Sequence, residues 1–273
     1  MQPAPQIGGE VLLIGAGRMG AALVKGWLGA GRFSAIHVVE PQPSEAIRAF
    51  GTDRKILLAD RFEARRYDAV VLALKPQVLK QETALLAAVG KTGALILSIA
   101  AGITTGFLGN SAGADARIVR AMPNTPGAIG HGITALYGAA KLGKTDRTLA
   151  EALMSALGPT LWLGQEGLMD AVTAVSGSGP AYVFLMVEAL AAAGRAEGLD
   201  DATAAALARA TVSGAGALLD VDQRGASELR KEVTSPGGTT EAALKILMDA
   251  HGLEELMKRA VAAAVKRGRE LGR

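Results

Sequence analysis

Three features of the sequence predict the fold class. Short apolar runs alternate with amphipathic segments through the N-terminal part of the chain. A G-x-G-x-x-G turn follows the first of those runs. After Gly164 the β-branched runs give way to Ala, Leu, Glu and Arg. Together they predict an α/β chain: an N-terminal doubly wound parallel sheet of Rossmann type over residues 1–164, then an all-helical domain over residues 165–273. A length of 273 residues suits two domains of roughly 100–200 residues each.

Val11 to Ile14 is a continuous apolar run, as a strand buried on both faces requires. Gly15, Gly17 and Gly20 follow, and Ala21, Ala22, Leu23, Val24, Trp27 and Leu28 continue with helical spacing. In such a strand–turn–helix the first glycine permits the tight turn. The second lets a pyrophosphate approach the backbone, and the third lets helix and strand pack closely. The helix N-terminus adds free N–H groups and a positive dipole. Dinucleotide binding is the expectation.

Ile36 to Val39 is the second strand, and Glu40 ends it about twenty residues beyond the last fingerprint glycine. A carboxylate there either bonds the adenosine ribose hydroxyls and repels a 2′-phosphate, which favours NADH, or is a solvated strand end. Pro41 and Pro43 close the strand, and Ser44 caps a helix running to Phe50. Further strands are expected at 56–58, 69–74, 94–100, 117–121, 133–137 and 160–163, with helices at 77–89 and 146–157. Ligands of doubly wound sheets sit at the carboxyl ends of strands, where Lys75, Ala100, Ala101 and Asn124 fall.

Beyond Gly164, helices are expected at 180–197, 201–219, 228–233, 240–250 and 253–271. The one opening at Pro180 carries Val183, Phe184, Leu185 and Met186 in succession, so it is apolar around its circumference and needs burial on all sides. A domain of little more than a hundred residues can hardly cover several such helices alone. A second copy of the chain is the natural other wall. Two loops stand at helix entries: Ser176-Gly177-Ser178-Gly179-Pro180, and Thr234-Ser235-Pro236-Gly237-Gly238-Thr239-Thr240. The second suits a carboxylate or phosphate. Plain capping by Ser235 or Thr239 explains it equally well.

Composition excludes several function classes. Zero cysteines rule out disulfides and thiolate metal sites, and His37, His131 and His251 show no ligand spacing, so no metal is expected. A net charge of +3 is too mild to argue for nucleic acid. Much of the excess sits in Lys258, Arg259, Lys266, Arg267, Arg269 and Arg273, a solvated face near a helix C-terminus. Residues 1–10 lack the order of a signal peptide, and no apolar run reaches about 18 residues free of charge and breakers. A cytoplasmic chain with no membrane association is expected.

The segments IGAGRMG (14–20), ALKPQ (73–77), SIAAGI (98–103), RAMPNTP (120–126), SGSGPAY (176–182) and LRKEVTSPGGTTEAAL (229–244) resemble those of the pyrroline-5-carboxylate reductases, in order and spacing, over nearly the whole chain. The last is close to that family's signature. The resemblance implies a Rossmann domain followed by a helical dimerisation domain, in dimers that assemble further into decamers in some members. It implies NADP(H) or NAD(H) as cofactor and a cyclic imine carboxylate as substrate. Ile14, Gly15, Ala16, Gly17, Arg18, Met19 and Gly20 should meet the pyrophosphate. Ala73, Leu74, Lys75 and Pro76, together with Ala100, Ala101 and Gly102, should line the nicotinamide end. Ser235, Gly238, Thr239 and Thr240 should hold the substrate carboxylate through backbone N–H groups, the Thr240 hydroxyl bonding the ring nitrogen as the catalytic contact. Glu166 aligns with an acidic residue near the substrate. Reduction then requires protonation of the imine to an electrophilic iminium and hydride delivery to C5.

Three positions depart from the family pattern. Glu40-Pro41 stands where NADPH users often carry small or hydroxyl residues. Asp60 and Glu232 stand where asparagine is common, both on the cofactor side. The added carboxylates weaken the case for NADPH. Lys75 is unsuited as the imine's acid, because a cation beside an iminium is unfavourable, and it is read as a cofactor or loop-positioning residue. A 3-hydroxyacid dehydrogenase would need a lysine on the central helix of the second domain, and residues 180–197 have none. A non-catalytic dinucleotide sensor would bind cofactor without turnover.

Overall fold

The computed structural model describes residues 8–139 and 141–272. Most of the stretch read as lacking a leader, residues 1–7, lies outside the described residues, as does Arg273. The strands are β1 (Glu10–Ile14), β2 (Ala35–Val39), β3 (Leu57–Ala59), β4 (Ala69–Leu72), β5 (Leu95–Ser98), β6 (Arg117–Met122), β7 (Thr134–Gly138) and β8 (Thr160–Trp162). They form one sheet in the order β3-β2-β1-β4-β5-β6-β7-β8. From β3 to β6 every neighbouring pair is parallel. The order reverses between β1 and β4, which is the topological switch point of a doubly wound sheet.

The helices are α1 (Arg18–Ala30), α2 (Glu45–Thr52), α3 (Pro76–Gln81), α4 (Thr83–Gly90), α5 (Thr105–Ala112), α6 (Lys144–Met154), α7 (Met169–Val172), α8 (Gly179–Ala196), α9 (Asp201–Val221), α10 (Ala226–Glu232), α11 (Thr239–Leu247) and α12 (Leu253–Gly272). The sheet is buried on both faces. Val11 and Leu13 point into one core with Leu23, Trp27 and Leu153, while Leu12 and Ile14 point into the other with Leu79, Leu86 and Leu108. This alternation across a fully apolar strand is why β1 shows no polar face. Trp27 is fully buried, and its indole N–H donates to the Leu153 carbonyl at 2.8 Å, so the largest side chain of the core leaves no donor unpaired.

The fold departs from the sequence expectation in three places. β7 is antiparallel to β6 and β8 runs parallel to β7, so the last two strands oppose the rest. The connection from Met122 to Thr134 holds only a 3₁₀ turn, Thr125–Ile129, and a parallel return needs a longer crossover. The single helix expected at 77–89 breaks at Glu82 into α3 and α4. The helix α5 was not expected. As the sequence reading allows, β3 returns to β4 through residues 60–68 without a helix. That loop is pinned by Arg65, whose guanidinium donates to Glu10 at 2.6 Å and to His37 Nε2 at 2.5 Å.

The chain divides into two compact units, Ser178–Ala264 and the remainder. The sequence places the boundary at Gly164. In the structure the segment after Gly164 still packs on the sheet unit: Glu166 is hydrogen bonded to Thr105, and Met169 and Ala174 are buried. The end of α12 belongs to the same unit, with Arg269 facing Asp170 at 3.9 Å. In the helical unit α8 and α9 pack closely because their contact residues are small. Ala191, Ala204 and Ala208 are buried, and a side chain at Gly194 would press on Leu199. The other faces of these helices are open. Phe184 and Leu185 are each more than 60% exposed, and Val183, Met186, Leu190, Leu207, Leu218 and Leu219 are exposed beside them. Glu166–Ala196 and Asp201–Val221 are each long and apolar enough to cross a membrane by length and composition alone.

Candidate active site

The glycine turn is built as the fingerprint requires. Gly15 has φ +92°, and a Cβ there would stand 2.8 Å from the Ala73 carbonyl, so only glycine fits the step from β1 into the turn. Its N–H donates to Val39 at 2.9 Å, which ties the turn to the end of β2. Gly20 packs under the Gly15 carbonyl with no room for a side chain. Gly17 differs from both: a Cβ there would meet nothing within 4 Å. Its glycine therefore answers to no crowding inside the protein, and the space it leaves open lies at the N-terminus of α1. Gly17 is the N-cap residue and brings no side chain to the first-turn amides of Arg18 and Met19. This cradle fits a dinucleotide pyrophosphate.

Glu40 stands beside that cradle. Its carboxylate accepts the Ala16 N–H at 2.7 Å and the Gln42 N–H at 3.0 Å, so its charge is fixed at the end of β2. Asp60 follows β3 on the neighbouring strand end, where the Glu40 N–H donates to the Ala59 carbonyl at 3.0 Å. Ala73 to Pro76 leave the end of β4. Lys75 is exposed as the N-cap residue of α3, and Pro76 occupies its first turn, where no N–H is needed. Ala100 to Gly102 leave the end of β5, with the Ala100 N–H donating to the buried Ser98 hydroxyl at 3.3 Å. Asn124 follows β6, but its side-chain oxygen is engaged, accepting the Ile133 N–H at 3.0 Å. It braces the entry to β7.

Glu166 lies in the sheet unit. Its carboxylate accepts both the backbone N–H and the hydroxyl of Thr105, each at 2.7 Å, and meets Arg120 at 3.3 Å. Thr105, Arg120 and Ser98 are candidate site residues beyond those the sequence points to. A cation inside the apolar strand 117–121 was the available signal, because a buried charge needs a partner.

The second loop belongs to the helical unit. Ser235, Pro236, Gly237 and Gly238 form a tight turn closed by the Gly238 N–H donating to the Ser235 carbonyl at 3.0 Å, with Gly237 at φ +73°. Proline at the second position and a positive-φ glycine at the third are the residues such a turn calls for. The Gly237 N–H donates to Glu241 at 2.8 Å. Gly238 is the N-cap of α11 and offers no capping side chain, so capping by Ser235 or Thr239 is not what the loop does. The first-turn amides of Thr239 and Thr240 stay available for an anion, with the half-buried Thr240 hydroxyl beside them. Glu232, in the same unit, is exposed and paired to Arg224 at 2.8 Å. The same guanidinium hydrogen bonds Asp222 and holds its carboxyl down at about 2. Among the described residues no group of three or more His, Asp or Glu side chains is placed to hold a metal.

A doubly wound sheet with a built glycine cradle, in a chain whose apolar helical unit carries a glycine-capped loop, is the plan of an NAD(P)-dependent oxidoreductase. Residues 10–102 match a family model described as NADP oxidoreductase, coenzyme F420-dependent, and residues 166–271 match one described as pyrroline-5-carboxylate reductase dimerisation. The chain is 40% identical to the pyrroline-5-carboxylate reductase of Pseudomonas aeruginosa over 96% of each chain. It superposes on the Coxiella burnetii enzyme of that name with a TM-score of 0.89 at 36% identity, covering 97% of this chain and 99% of that one. The Plasmodium falciparum enzyme, solved with NADP bound, gives 0.79 at 26% identity, covering 97% and 98%. This chain belongs to the pyrroline-5-carboxylate reductase family. Its helical unit falls within the segment matched to the dimerisation model.

Proposed function

We propose that the chain reduces 1-pyrroline-5-carboxylate to L-proline, the last step of proline biosynthesis. The observation that carries this is the loop before α11: a glycine N-cap without a capping side chain, followed by Thr239 and Thr240, in the family's signature segment. A cyclic imine carboxylate presents one anion and one ring nitrogen. The Thr239 and Thr240 amides bind the anion, and the Thr240 hydroxyl orients the nitrogen; no strong acid stands in the loop, so the imine binds protonated or takes its proton from solvent. Ser235 and Gly238 shape the loop. NAD(P)H supplies the hydride when bound. Ile14 to Gly20 hold its pyrophosphate, and Ala73 to Pro76 with Ala100 to Gly102 line the nicotinamide end. Glu166 is carried over from the family as an acidic residue near the substrate.

Glu40 and Asp60 make NADH at least as good a cofactor as NADPH, because a fixed carboxylate at the end of β2 repels a 2′-phosphate. Glu232 and Asn124 are weaker cofactor candidates, each engaged elsewhere. Residues 1–164 bind cofactor, residues 165–273 bind substrate and a second copy, decamers form from the dimers, and the enzyme works in the cytoplasm. The test is oxidation of NADH and of NADPH by the purified chain with pyrroline-5-carboxylate. Imine-dependent turnover supports the assignment. Cofactor binding without turnover supports a sensor instead.

A further inference from the structure

The Glu166 carboxylate is spent on the sheet unit. One oxygen accepts the Thr105 N–H and faces Arg120, while the other accepts the Thr105 hydroxyl. Thr105 is the first residue of α5 and directly follows the segment 100–104, which leaves β5. That segment is held at its start by the Ser98 hydroxyl on Ala100, and at its end by the Thr104 side chain capping Phe107 at 3.1 Å. Glu166 adds a two-pronged grip on the next residue. An anion at the N1 amide of α5 also suits the helix dipole. Arg120, the cross-strand neighbour of Ser98, is 5% exposed and supplies the counter-charge.

We propose that Glu166 is a positioning residue for the segment Ala100 to Gly102, acting through Thr105 with Arg120 as its counter-charge, and that it serves the nicotinamide end of the cofactor. The proposal rests on the reading that this segment lines the nicotinamide. Neutralising Glu166 loosens the segment and leaves Arg120 buried without its partner. The glycine cradle and the adenosine end are untouched.

The test is a binding comparison on the purified full-length chain, using reduced-nicotinamide fluorescence for NADH or NADPH and competition by ADP-ribose, which lacks the nicotinamide. Glu166→Gln is expected to weaken NAD(P)H about tenfold, the equivalent of one charge-assisted hydrogen bond, with ADP-ribose affinity unchanged. Thr105→Val should do the same, and Thr105→Ser should restore wild-type binding. Those two variants carry the comparison if Glu166→Gln does not fold. Unchanged NAD(P)H affinity would overturn the proposal, and so would an equal loss for ADP-ribose, which marks general loosening. A raised KM for the imine at unchanged cofactor affinity would also overturn it and favour direct substrate contact. If the wild type binds NAD(P)H but does not reduce the imine, the functional reading fails while the binding comparison still decides the role of Glu166.

Discussion

At the scale of single residues, the proposed substrate recognition rests on Thr240. Thr240→Ala should raise KM for pyrroline-5-carboxylate and lower kcat, with kcat/KM down by about tenfold or more for the lost hydrogen bond to a charged group and NADH affinity kept. An unchanged kcat/KM would remove Thr240 from the mechanism. The proposed cofactor choice rests on Glu40. Glu40→Gln keeps an oxygen for the Ala16 N–H but loses the charge, so the NADPH-to-NADH ratio of kcat/KM should rise about five- to tenfold, as expected for relief of one like-charge contact. A wild type that strongly prefers NADPH would contradict that role. His37 carries a pH effect. Burial, then the Arg65 guanidinium, push its pKa below the ordinary 6.5. The unfolded chain therefore takes up a proton near 6.5 that the folded chain refuses. His37 contributes full stability above that pH, and stability is lost as pH falls toward the folded value. Melting curves at descending pH should show this loss reduced in His37→Gln.

At the scale of elements, the glycine turn is the most constrained feature. Gly15→Ala forces a positive φ on an L-residue against the Ala73 carbonyl, and should cost about 1–3 kcal/mol in urea unfolding and weaken cofactor binding. The first strands were legible in the sequence because a strand buried on both faces must be apolar throughout, as 11–14 and 69–72 are. The turn before α11 was legible because proline and glycine have fixed backbone duties. Less legible was α5, whose TGFLGNSA has two glycines and an asparagine and is held as a helix by its Thr104 cap, the Glu166 carboxylate and the burial of Leu108. The direction of β7 depends on the length of a connection rather than on composition. The contact between Glu166 and Thr105 spans 61 residues, and no local pattern announces it.

At the scale of the whole molecule, the exposed apolar helices call for a second copy. Leu185→Asp places a charge in that face and should shift the chain from dimer toward monomer in light scattering, with cofactor binding by the sheet unit kept. A dimer that persists would move the interface to another face. In the proposed reaction the turn at 15–20 serves the donor and the loop at 235–240 serves the acceptor. The most direct measurement is the loss of reduced-nicotinamide absorbance when pyrroline-5-carboxylate is added to the purified chain, with proline assayed as product. The assignment predicts one proline formed for each NADH or NADPH oxidised, and a slower reaction in Thr240→Ala. Bound cofactor that is never oxidised in the presence of the imine would contradict it.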